Sequence, residues 1–192
     1  MDERRIRAVI ATGGDVLWAS VKDFGSVSPF IVNTERKVTA DALAETRLRT
    51  YPANTVLISA RGTVGLVALT GEKMTFNQSC FGLRGRAEVD QSTLFEIVKT
   101  AVETLRARAH GSVFSTITRS TFADVRVRLP GSDELAALEE RLSPLHAQIL
   151  SLTREAAVLA DVRRALLPKL FAHGLELASQ APVRVPLEPA AA

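Results

Sequence analysis

The sequence lacks most of the patterns on which secreted proteins, membrane proteins and disulfide-rich proteins depend. Its only cysteine is Cys80, which excludes an internal disulfide framework and a cysteine-bound zinc site. No apolar run approaches the ~20 residues that a membrane-spanning helix needs. The opening stretch MDERRIRAVIATGGD has no apolar segment long enough for a secretory signal. We therefore expect a cytoplasmic protein in a reducing compartment.

Catalytic and nucleotide-binding motifs are equally scarce. The glycines of ATGGD and RGTVG match neither a P-loop, which needs GxxxxGK[ST], nor the three-glycine dinucleotide fingerprint. The three histidines are scattered, and Ser59 and Ser112 lack a GxSxG elbow. No HExxH or paired-carboxylate spacing occurs. The sequence therefore predicts no enzyme active site, no metal site and no cofactor.

Positive charge is concentrated in the first two thirds of the chain. Residues 1–130 contain 18 lysines and arginines against 13 acidic residues, whereas residues 131–192 contain 6 against 8. A basic excess on one part of a chain favours a polyanion partner there. An excess of this size favours nucleic-acid binding only slightly over other functions.

The part of the chain before LPGSDE is typical of a β-rich domain. Short apolar runs alternate with turn residues, as in VLIS, LVALT, CFGL, VFSTIT and DVRVRL. In the last run, Val125, Val127 and Leu129 alternate with two arginines, which predicts a half-buried strand with a basic outer face. One helix interrupts the strands, because residues 91–109 space their apolar side chains at three and four. Gly111 is a suitable helix stop.

After LPGSDE the pattern becomes that of one long helix. Ser132 or Asp133 is placed to cap it, in an acidic first turn. Apolar residues then recur in alternating steps of three and four, which is a coiled-coil seam and implies a helical partner. The seam comprises Leu135, Leu138, Leu142, Leu145, Ile149, Leu152, Ala156 and Leu159. Continuation to Ala172 gives about 40 residues, or roughly 60 Å of helix.

Two prolines interrupt the helical pattern. Pro144 has no amide hydrogen, and it predicts a kink or a restart with Ser143 as the cap. Pro168 predicts the same near the far end. The Pro- and Ala-rich tail predicts disorder. The predicted class is α+β, with a β-rich globular domain at 1–130, a long coiled-coil-forming helix at 131–174 and a disordered tail at 175–192.

Several polar motifs have two interpretations each. Arg61-Gly62-Thr63 is either a glycine turn with a solvated arginine, or a loop whose backbone approaches a phosphodiester while Arg61 and Thr63 supply donors. Asn77 and Gln78 either read an adenine edge or satisfy backbone groups at the start of a strand. Basic pairs are usually solvated surface, but several pairs in loops of a β-rich domain favour a phosphate footprint. The pairs are Arg36 with Lys37, Arg47 with Arg49, and Arg84 with Arg86.

Three segments together carry a family resemblance. LISARGTVGLVAL, NQSCFGL and GSVFSTITRSTFADVRVRLP precede a long helix that ends LLPKLFAHG. With WASVKDFG and TERKVTADAL, this combination resembles the DNA specificity subunit of type I restriction–modification systems over about residues 18–174. The resemblance implies a target-recognition domain that reads a short half-site in double-stranded DNA. It also implies spacer helices that form an antiparallel coiled coil and dock the methyltransferase subunits.

The resemblance assigns the chemistry to partners of this chain. An adenine-N6 methyltransferase subunit would carry out the methylation, with a restriction motor subunit where the system has one, and this chain would hold no cofactor. The implied DNA contacts lie in loops of the globular domain. The candidates are Arg36, Lys37, Arg47, Arg49, Arg61, Gly62, Thr63, Asn77, Gln78, Arg84 and Arg86.

Two departures from the family pattern affect these expectations. LPGSDELAAL stands where members usually have a proline-rich segment and a Glu-Gln pair at the helix start. Typical subunits contain two recognition domains and two spacer helices, whereas this chain has one of each. It resembles a half subunit, and two copies paired antiparallel would restore two readers of an interrupted inverted repeat. Pairing with a different half and origin as a fragment of a longer product stay open.

Two other hypotheses compete with a DNA reader. One is a coiled-coil interaction adaptor whose globular domain binds protein and not DNA. The other is a small enzyme with an unrecognised site, which would have to show turnover by the isolated chain. Steep salt dependence of DNA binding distinguishes a reader from an adaptor, because phosphate contacts release counterions.

Overall fold

The computed structural model describes residues 14–25, 27–46, 48–86, 89–109 and 116–177, with side chains described as far as Phe171. The chain divides into two compact units, Met1–Arg154 and Glu155–Ala192. The strands are β1 (Val16–Ala19), β2 (Phe30–Ile31), β3 (Arg36–Val38), β4 (Val56–Ser59), β5 (Val67–Thr70), β6 (Met74–Phe76) and β7 (Cys80–Leu83). The α-helices are α1 (Ala40–Thr46), α2 (Gln91–Ala109), α3 (Arg119–Asp124) and α4 (Ser132–Leu177), and a 3-10 turn spans Val21–Asp23.

The strands form two small mixed sheets. In a four-stranded sheet of order β2-β5-β4-β7, β4 is antiparallel to both of its neighbours and β2 is parallel to β5. In a three-stranded sheet of order β3-β1-β6, β1 is antiparallel to β3 and parallel to β6. The turn between β6 and β7 therefore passes from one sheet to the other.

The central strand β4 is buried on both faces, which explains why VLIS is a continuous apolar run. Val56 and Ile58 belong to a core that the four-stranded sheet shares with α2. Leu57 belongs to a second core, together with Leu17 of β1 and Met74 of β6. A strand that is covered on both faces need not alternate apolar with polar residues. The predicted α+β fold, a β-rich globule followed by a long helix, is confirmed.

The helix predicted at residues 91–109 is confirmed as α2. It buries Phe95, Val98, Val102 and Leu105 in the core that contains β4. These positions share one face of a helix because they are three and four residues apart. Strands predicted from VLIS, LVALT and CFGL are also present, as β4, β5 and β7.

The strand predicted from DVRVRL is wrong. Residues 125–129 belong to no strand, and Val127 and Leu129 are 43% and 48% exposed. Their alternation with Arg126 and Arg128 therefore does not mark a buried face. Alternation predicts a strand only where a neighbouring strand can complete the hydrogen-bond ladder, and none pairs with this segment among the described residues.

The strand predicted from VFSTIT is not formed by residues 116–118, while residues 113–115 lie outside the described part of the chain. The Thr118 hydroxyl accepts a hydrogen bond from the Thr121 N–H, 3.3 Å away, and so caps the N-terminus of α3. A threonine cap turns the chain into a helix at the point where its β-branched side chain had favoured a strand.

The long helix α4 begins at Ser132, and Gly131 occupies the cap position instead of Ser132 or Asp133. The Gly131 carbonyl accepts from the Leu135 N–H at 2.9 Å. The Glu134 carboxylate reaches back to the Gly131 N–H at 3.0 Å, which is one half of a capping box. The expected restart at Ser143 is wrong, because the helix is continuous through Pro144 and Pro168.

Within the first unit, one face of α4 packs on the globular domain. The Glu139 carboxylate accepts from the N–H and the hydroxyl of Thr93, both at 2.9 Å, and so caps the N-terminal end of α2. The Thr153 hydroxyl bonds that of Ser28 at 2.7 Å. Arg154 donates to the carbonyl of Gly71 at 2.9 Å. We call this the docking face of α4.

A different face of α4 carries the predicted seam. In the first unit, Leu145, Ile149 and Leu152 are exposed, with Leu152 56% exposed, while Leu135 is buried and so is unavailable to a partner. In the second unit, considered by itself, Ala156 and Leu159 are exposed. Leu138 is also exposed, and Leu142 is half-buried. Nowhere in the described helices is there a segment with the length and apolar character to cross a membrane.

Candidate DNA interface

The loop between β4 and β5 is closed at its base by Ser59. The fully buried Ser59 hydroxyl donates to the Thr63 carbonyl and accepts from the Leu66 N–H at 2.8 Å. The backbone carbonyl of Ser59 accepts from the Gly65 N–H at 2.9 Å. These bonds fix the base of the loop. Above the base, the loop tip, which we define as Arg61, Gly62 and Thr63, is exposed.

The two glycines of the loop differ in their surroundings. Both have left-handed backbone angles, with φ of 74° at Gly62 and 82° at Gly65, which favour glycine. Gly62 has open space where a Cβ would lie. At Gly65, a Cβ would lie 2.5 Å from Nε of Arg106 on α2. Gly62 is therefore explained by its backbone angle alone, and Gly65 by its backbone angle together with a close internal approach.

The β6–β7 turn lies beside the loop tip. The Ala60 N–H donates to the Ser79 carbonyl at 2.7 Å, and this joins the two connections at the same end of the four-stranded sheet. The Asn77 side-chain oxygen accepts from the Ser79 N–H at 3.0 Å, so this side chain satisfies the turn backbone. Gln78 is exposed next to it. We call the loop tip together with Gln78 the reading end.

Arg36 and Lys37 lie on β3, an edge strand, and both are exposed. Arg36 pairs with Trp18 of β1, and its guanidinium lies over the Trp18 ring at 5.9 Å from the centroid. Trp18 in turn pairs with Thr75, two residues before Asn77. The register therefore places Arg36 about 7 Å along the strands from the start of the β6–β7 turn.

The other described basic candidates, Arg49, Arg84 and Arg86, lie near the opposite ends of the strands from the reading end. Arg84 follows β7 beside the start of β4, and its guanidinium is 3.5 Å from the Thr55 hydroxyl. Arg86 is exposed two residues further along. Arg49 is exposed shortly before Tyr51, which bridges Met74 at the beginning of β6. The structure thus separates these arginines from the reading end. Arg47 lies outside the described residues.

One residue that shapes the loop was missed in the sequence. The Arg106 Nε donates to the Val64 carbonyl at 3.0 Å, and its Nη2 is 3.4 Å from the Gly65 carbonyl. Arg106 and Gly65 are far apart in the chain, and the RAR stretch of α2 has no pattern that marks either arginine. The one available signal is the second glycine of RGTVG, which shows that something approaches the backbone there.

The buried reactive groups are held in their neutral forms. Burial, with a smaller effect from the charge of Asp23, raises the pKa of the Cys80 thiol to about 12. Burial lowers the pKa of His146, against the opposing effect of Glu96 and Glu139. Cys80 is therefore a thiol at neutral pH and a poor nucleophile. In the described ranges, no three His, Cys, Asp or Glu side chains are grouped to hold a metal ion.

Similar proteins define the class to which this arrangement belongs. A curated relative, the type I restriction enzyme MjaIX specificity subunit of Methanocaldococcus jannaschii, is 27% identical over 162 residues. That match covers 83% of this chain and 38% of the relative. The crystal structure of the HsdS subunit from Thermoanaerobacter tengcongensis matches with a TM-score of 0.50 and 20% identity, over 84% of this chain and 38% of that one.

A second solved structure, described as showing complex assembly and conformational transition of the type I R-M system, gives a similar result. Its TM-score is 0.50 and its identity 20%, over 80% of this chain and 37% of that one. At this identity the two structures support the fold alone. This chain spans less than two fifths of the length of each of these three proteins.

The structure is thus a small two-sheet domain followed by a long helix, with an exposed loop at one end of the four-stranded sheet that carries Arg61. The family model for the type I restriction modification DNA specificity domain matches residues 4–159. The chain belongs to this family. Members are recognition components and not catalysts, so membership supports the expectation that this chain is not an enzyme.

Proposed function

We propose that this chain recognises a short sequence in double-stranded DNA and directs an adenine-N6 methyltransferase to it, with a restriction subunit where the system contains one. Family membership over residues 4–159 carries the proposal, because the family is that of a DNA specificity domain. The relative named as a specificity subunit of a type I restriction enzyme supports the same role.

The reading end is the proposed DNA-contacting surface. Arg61 and Thr63 are exposed on a loop whose base is fixed, and Gln78 lies beside them with a side chain able to pair with a base edge. Arg36 and Lys37 are exposed on the edge strand β3, where consecutive side chains point to opposite faces, so one of them at a time can extend the positive surface towards the DNA backbone. Arg61 contacts phosphate and positions the domain, whereas base reading falls to the polar side chains.

The opposite end of the sheet has a competing role. Arg154 of the docking face donates to the Gly71 carbonyl and forms an ion pair with Glu72 at 2.6 Å, which occupies the turn after β5. Arg84 is directed towards Thr55. These contacts favour the reading end over the end that carries Arg49, Arg84 and Arg86.

The exposed seam of α4 is the proposed interface with other chains. Exposed leucines in register favour a helical partner, because apolar area in water is unfavourable. We assign this partner to a second copy of the chain, paired antiparallel. A second copy supplies a second recognition domain, which would account for a chain that spans 38% of its relative. Two identical domains would read an interrupted inverted repeat, and the pair of helices would dock the methyltransferase.

Fluorescence anisotropy tests the DNA role directly. The purified full chain is titrated onto a labelled mixed-sequence duplex at several salt concentrations. A reader that neutralises phosphates gives a linear fall of log affinity with log salt, with a slope of about 0.9 for each phosphate contact. Absence of binding at low salt, or binding without salt dependence, would favour the adaptor hypothesis instead.

Affinity capture of the tagged chain from its own cells, read by mass spectrometry, tests the partner assignment. An adenine-N6 methyltransferase is expected among the retained proteins. A variant with a charge in the seam serves as the control, because it should lose this partner while its globular domain stays folded. Retention of the methyltransferase by the seam variant would show that docking uses another surface.

A further inference from the structure

The base of the β4–β5 loop is contacted by a side chain from outside the loop. Arg106 of α2 reaches the β4–β5 loop and donates to two consecutive carbonyls, with Nε 3.0 Å from the Val64 oxygen and Nη2 3.4 Å from the Gly65 oxygen. Its third nitrogen, Nη1, pairs with Glu103 at 2.8 Å. Glu103 is exposed, so this ion pair contributes little to stability.

The loop is shaped to accept this guanidinium. A Cβ at Gly65 would lie 2.5 Å from Nε, 3.1 Å from Cγ and 3.3 Å from Cδ of Arg106, so any larger residue there would force the Arg106 side chain to shift. Ser59 holds the same segment from the inside through Leu66 and Thr63. The base of the loop is therefore fixed from two directions, by a buried hydroxyl and by an arginine on a helix of the core.

The loop tip contrasts with its base. Arg61 makes no hydrogen bond or ion pair within the described part of the chain, and a Cβ placed at Gly62 would meet no atom within 4 Å beyond Gly62 and its two chain neighbours. A loop with a fixed base and exposed hydrogen-bond donors at its tip is preorganised for binding. Ordering such a loop before binding removes an entropic cost that a flexible loop would incur in the complex.

We propose that Arg106 is a positioning residue for DNA recognition, which fixes the loop so that Arg61 and Thr63 are presented to the phosphate backbone while Arg106 itself does not contact DNA. This inference rests on the proposed function, since it presupposes that the loop tip meets DNA. It adds a residue on α2 to a recognition surface otherwise built from strand connections.

Four single variants of the full chain, and one double variant that combines Arg61→Ala with Arg106→Ala, test the proposal by anisotropy on the mixed-sequence duplex, with a salt series for each. Arg106→Ala removes both carbonyl contacts and the charge. Arg106→Lys keeps the charge but cannot reproduce the two-point fork. Arg61→Ala removes the proposed phosphate contact. Arg108→Ala is the matched control, because Arg108 is an exposed arginine of the same helix and removal of its charge leaves the loop contacts intact.

The expected results separate positioning from charge. Both Arg106 variants should weaken DNA binding by roughly three- to tenfold with an unchanged salt slope, whereas Arg61→Ala should lower the slope by about one. Arg108→Ala should resemble the wild type. Hydrogen exchange at the amides of Val64, Gly65 and Leu66 should accelerate in both Arg106 variants. Combining Arg61→Ala with Arg106→Ala should weaken binding no more than Arg61→Ala alone.

Distinct outcomes overturn the inference. Wild-type affinity in Arg106→Lys would show that charge alone matters, and additive effects of the two alanine variants would show that Arg106 contacts DNA itself. If hydrogen exchange at the loop amides is unchanged in both Arg106 variants, Arg106 does not position the loop. If the wild type binds in a salt-dependent manner and Arg61→Ala has no effect, the loop inference fails while the proposed function stands. If the wild type does not bind, both fail.

Discussion

At the scale of residues, the two glycines of RGTVG have similar backbone angles but different surroundings. Gly62 at φ 74° faces open space, whereas Gly65 at φ 82° faces the Arg106 side chain. In the sequence the two glycines look equivalent. Only the structure shows that Gly62 is needed for its backbone angle and that Gly65 also leaves space for the Arg106 side chain. A substitution series at these positions therefore measures the two effects independently.

Gly65→Ala is expected to destabilise the protein more than Gly62→Ala does. An alanine at Gly62 incurs only the left-handed backbone cost of about 1–2 kcal/mol. An alanine at Gly65 adds a steric conflict with Arg106, which overpacking data place at about 1–3 kcal/mol further. The measurement is urea unfolding of both variants beside the wild type. Equal destabilisation by the two alanines would show that Arg106 moves aside at no cost.

His146 is a titratable residue on the docking face of α4. Its ring packs edge-on against Phe30 and Phe95, with centroid distances of 6.0 and 5.5 Å, and its buried Nδ1 has no hydrogen-bond partner among the described groups. Burial lowers the pKa of His146 below its usual 6.5; Glu96 and Glu139 oppose this shift, and Lys99 adds to it. The folded state therefore favours the neutral ring.

The lowered pKa predicts a loss of stability in mild acid. At pH just below 6.5, His146 binds a proton more readily in the unfolded chain than in the folded chain. The contribution of the neutral His146 ring to the free energy of unfolding is therefore full above pH 6.5 and declines as the pH falls through the folded pKa. The thermal midpoint of the wild type should fall between neutral and mildly acidic pH, and that of His146→Leu should fall less. Identical pH profiles would show that His146 does not govern the acid response.

At the scale of elements, α4 has two faces with different chemistry. The docking face contributes polar groups, such as the Glu139 carboxylate on Thr93 and the Arg154 guanidinium on the Gly71 carbonyl. The seam is aliphatic and, apart from the buried Leu135 and the half-buried Leu142, exposed. One face of α4 thus makes hydrogen bonds within the chain, while the other presents an apolar stripe to water. Such a helix can pack on its own globular domain and bind a second chain at the same time.

Leu152→Asp is expected to abolish self-association. The side chain is 56% exposed in the single chain, so an aspartate there costs the fold little, but it would place a charge in the paired seam. Ser151→Asp is the matched control, because the neighbouring serine is exposed and lies off the seam. Sedimentation equilibrium should give a dimer for the wild type and Ser151→Asp, and a monomer for Leu152→Asp. A monomeric wild type, or a dimeric Leu152→Asp variant, would contradict the pairing.

At the scale of the whole molecule, the sequence predicted the strongly patterned elements and missed the short ones. The helix at Gln91–Ala109, the long helix and the buried strands around VLIS follow from periodicity or from sustained apolar runs. β2 has two residues and β3 three, which is too short for a period to show. Their existence depends on partners that lie far away in the sequence.

The proposed DNA-contacting surface was predictable in part. The exposed tip of RGTVG and the neighbouring Gln78 could be identified as candidates from turn chemistry. The sequence could not predict that the loop tip and Gln78 lie side by side. Their proximity depends on the hydrogen bond from Ala60 to Ser79, which links separate parts of the chain. The same limitation applied to Arg84 and Arg86, which resemble Arg61 in sequence but lie at the other end of the sheet.

The most direct test of the central claim is selection of bound sequences from a randomised pool of duplex DNA by the purified full chain. A DNA specificity domain that pairs through its long helix should enrich one short half-site in two inverted copies at a fixed separation. The Leu152→Asp variant should enrich single half-sites at most. A pool that emerges without any enriched sequence, although the chain is folded and retains DNA at low salt, would contradict sequence recognition by this chain.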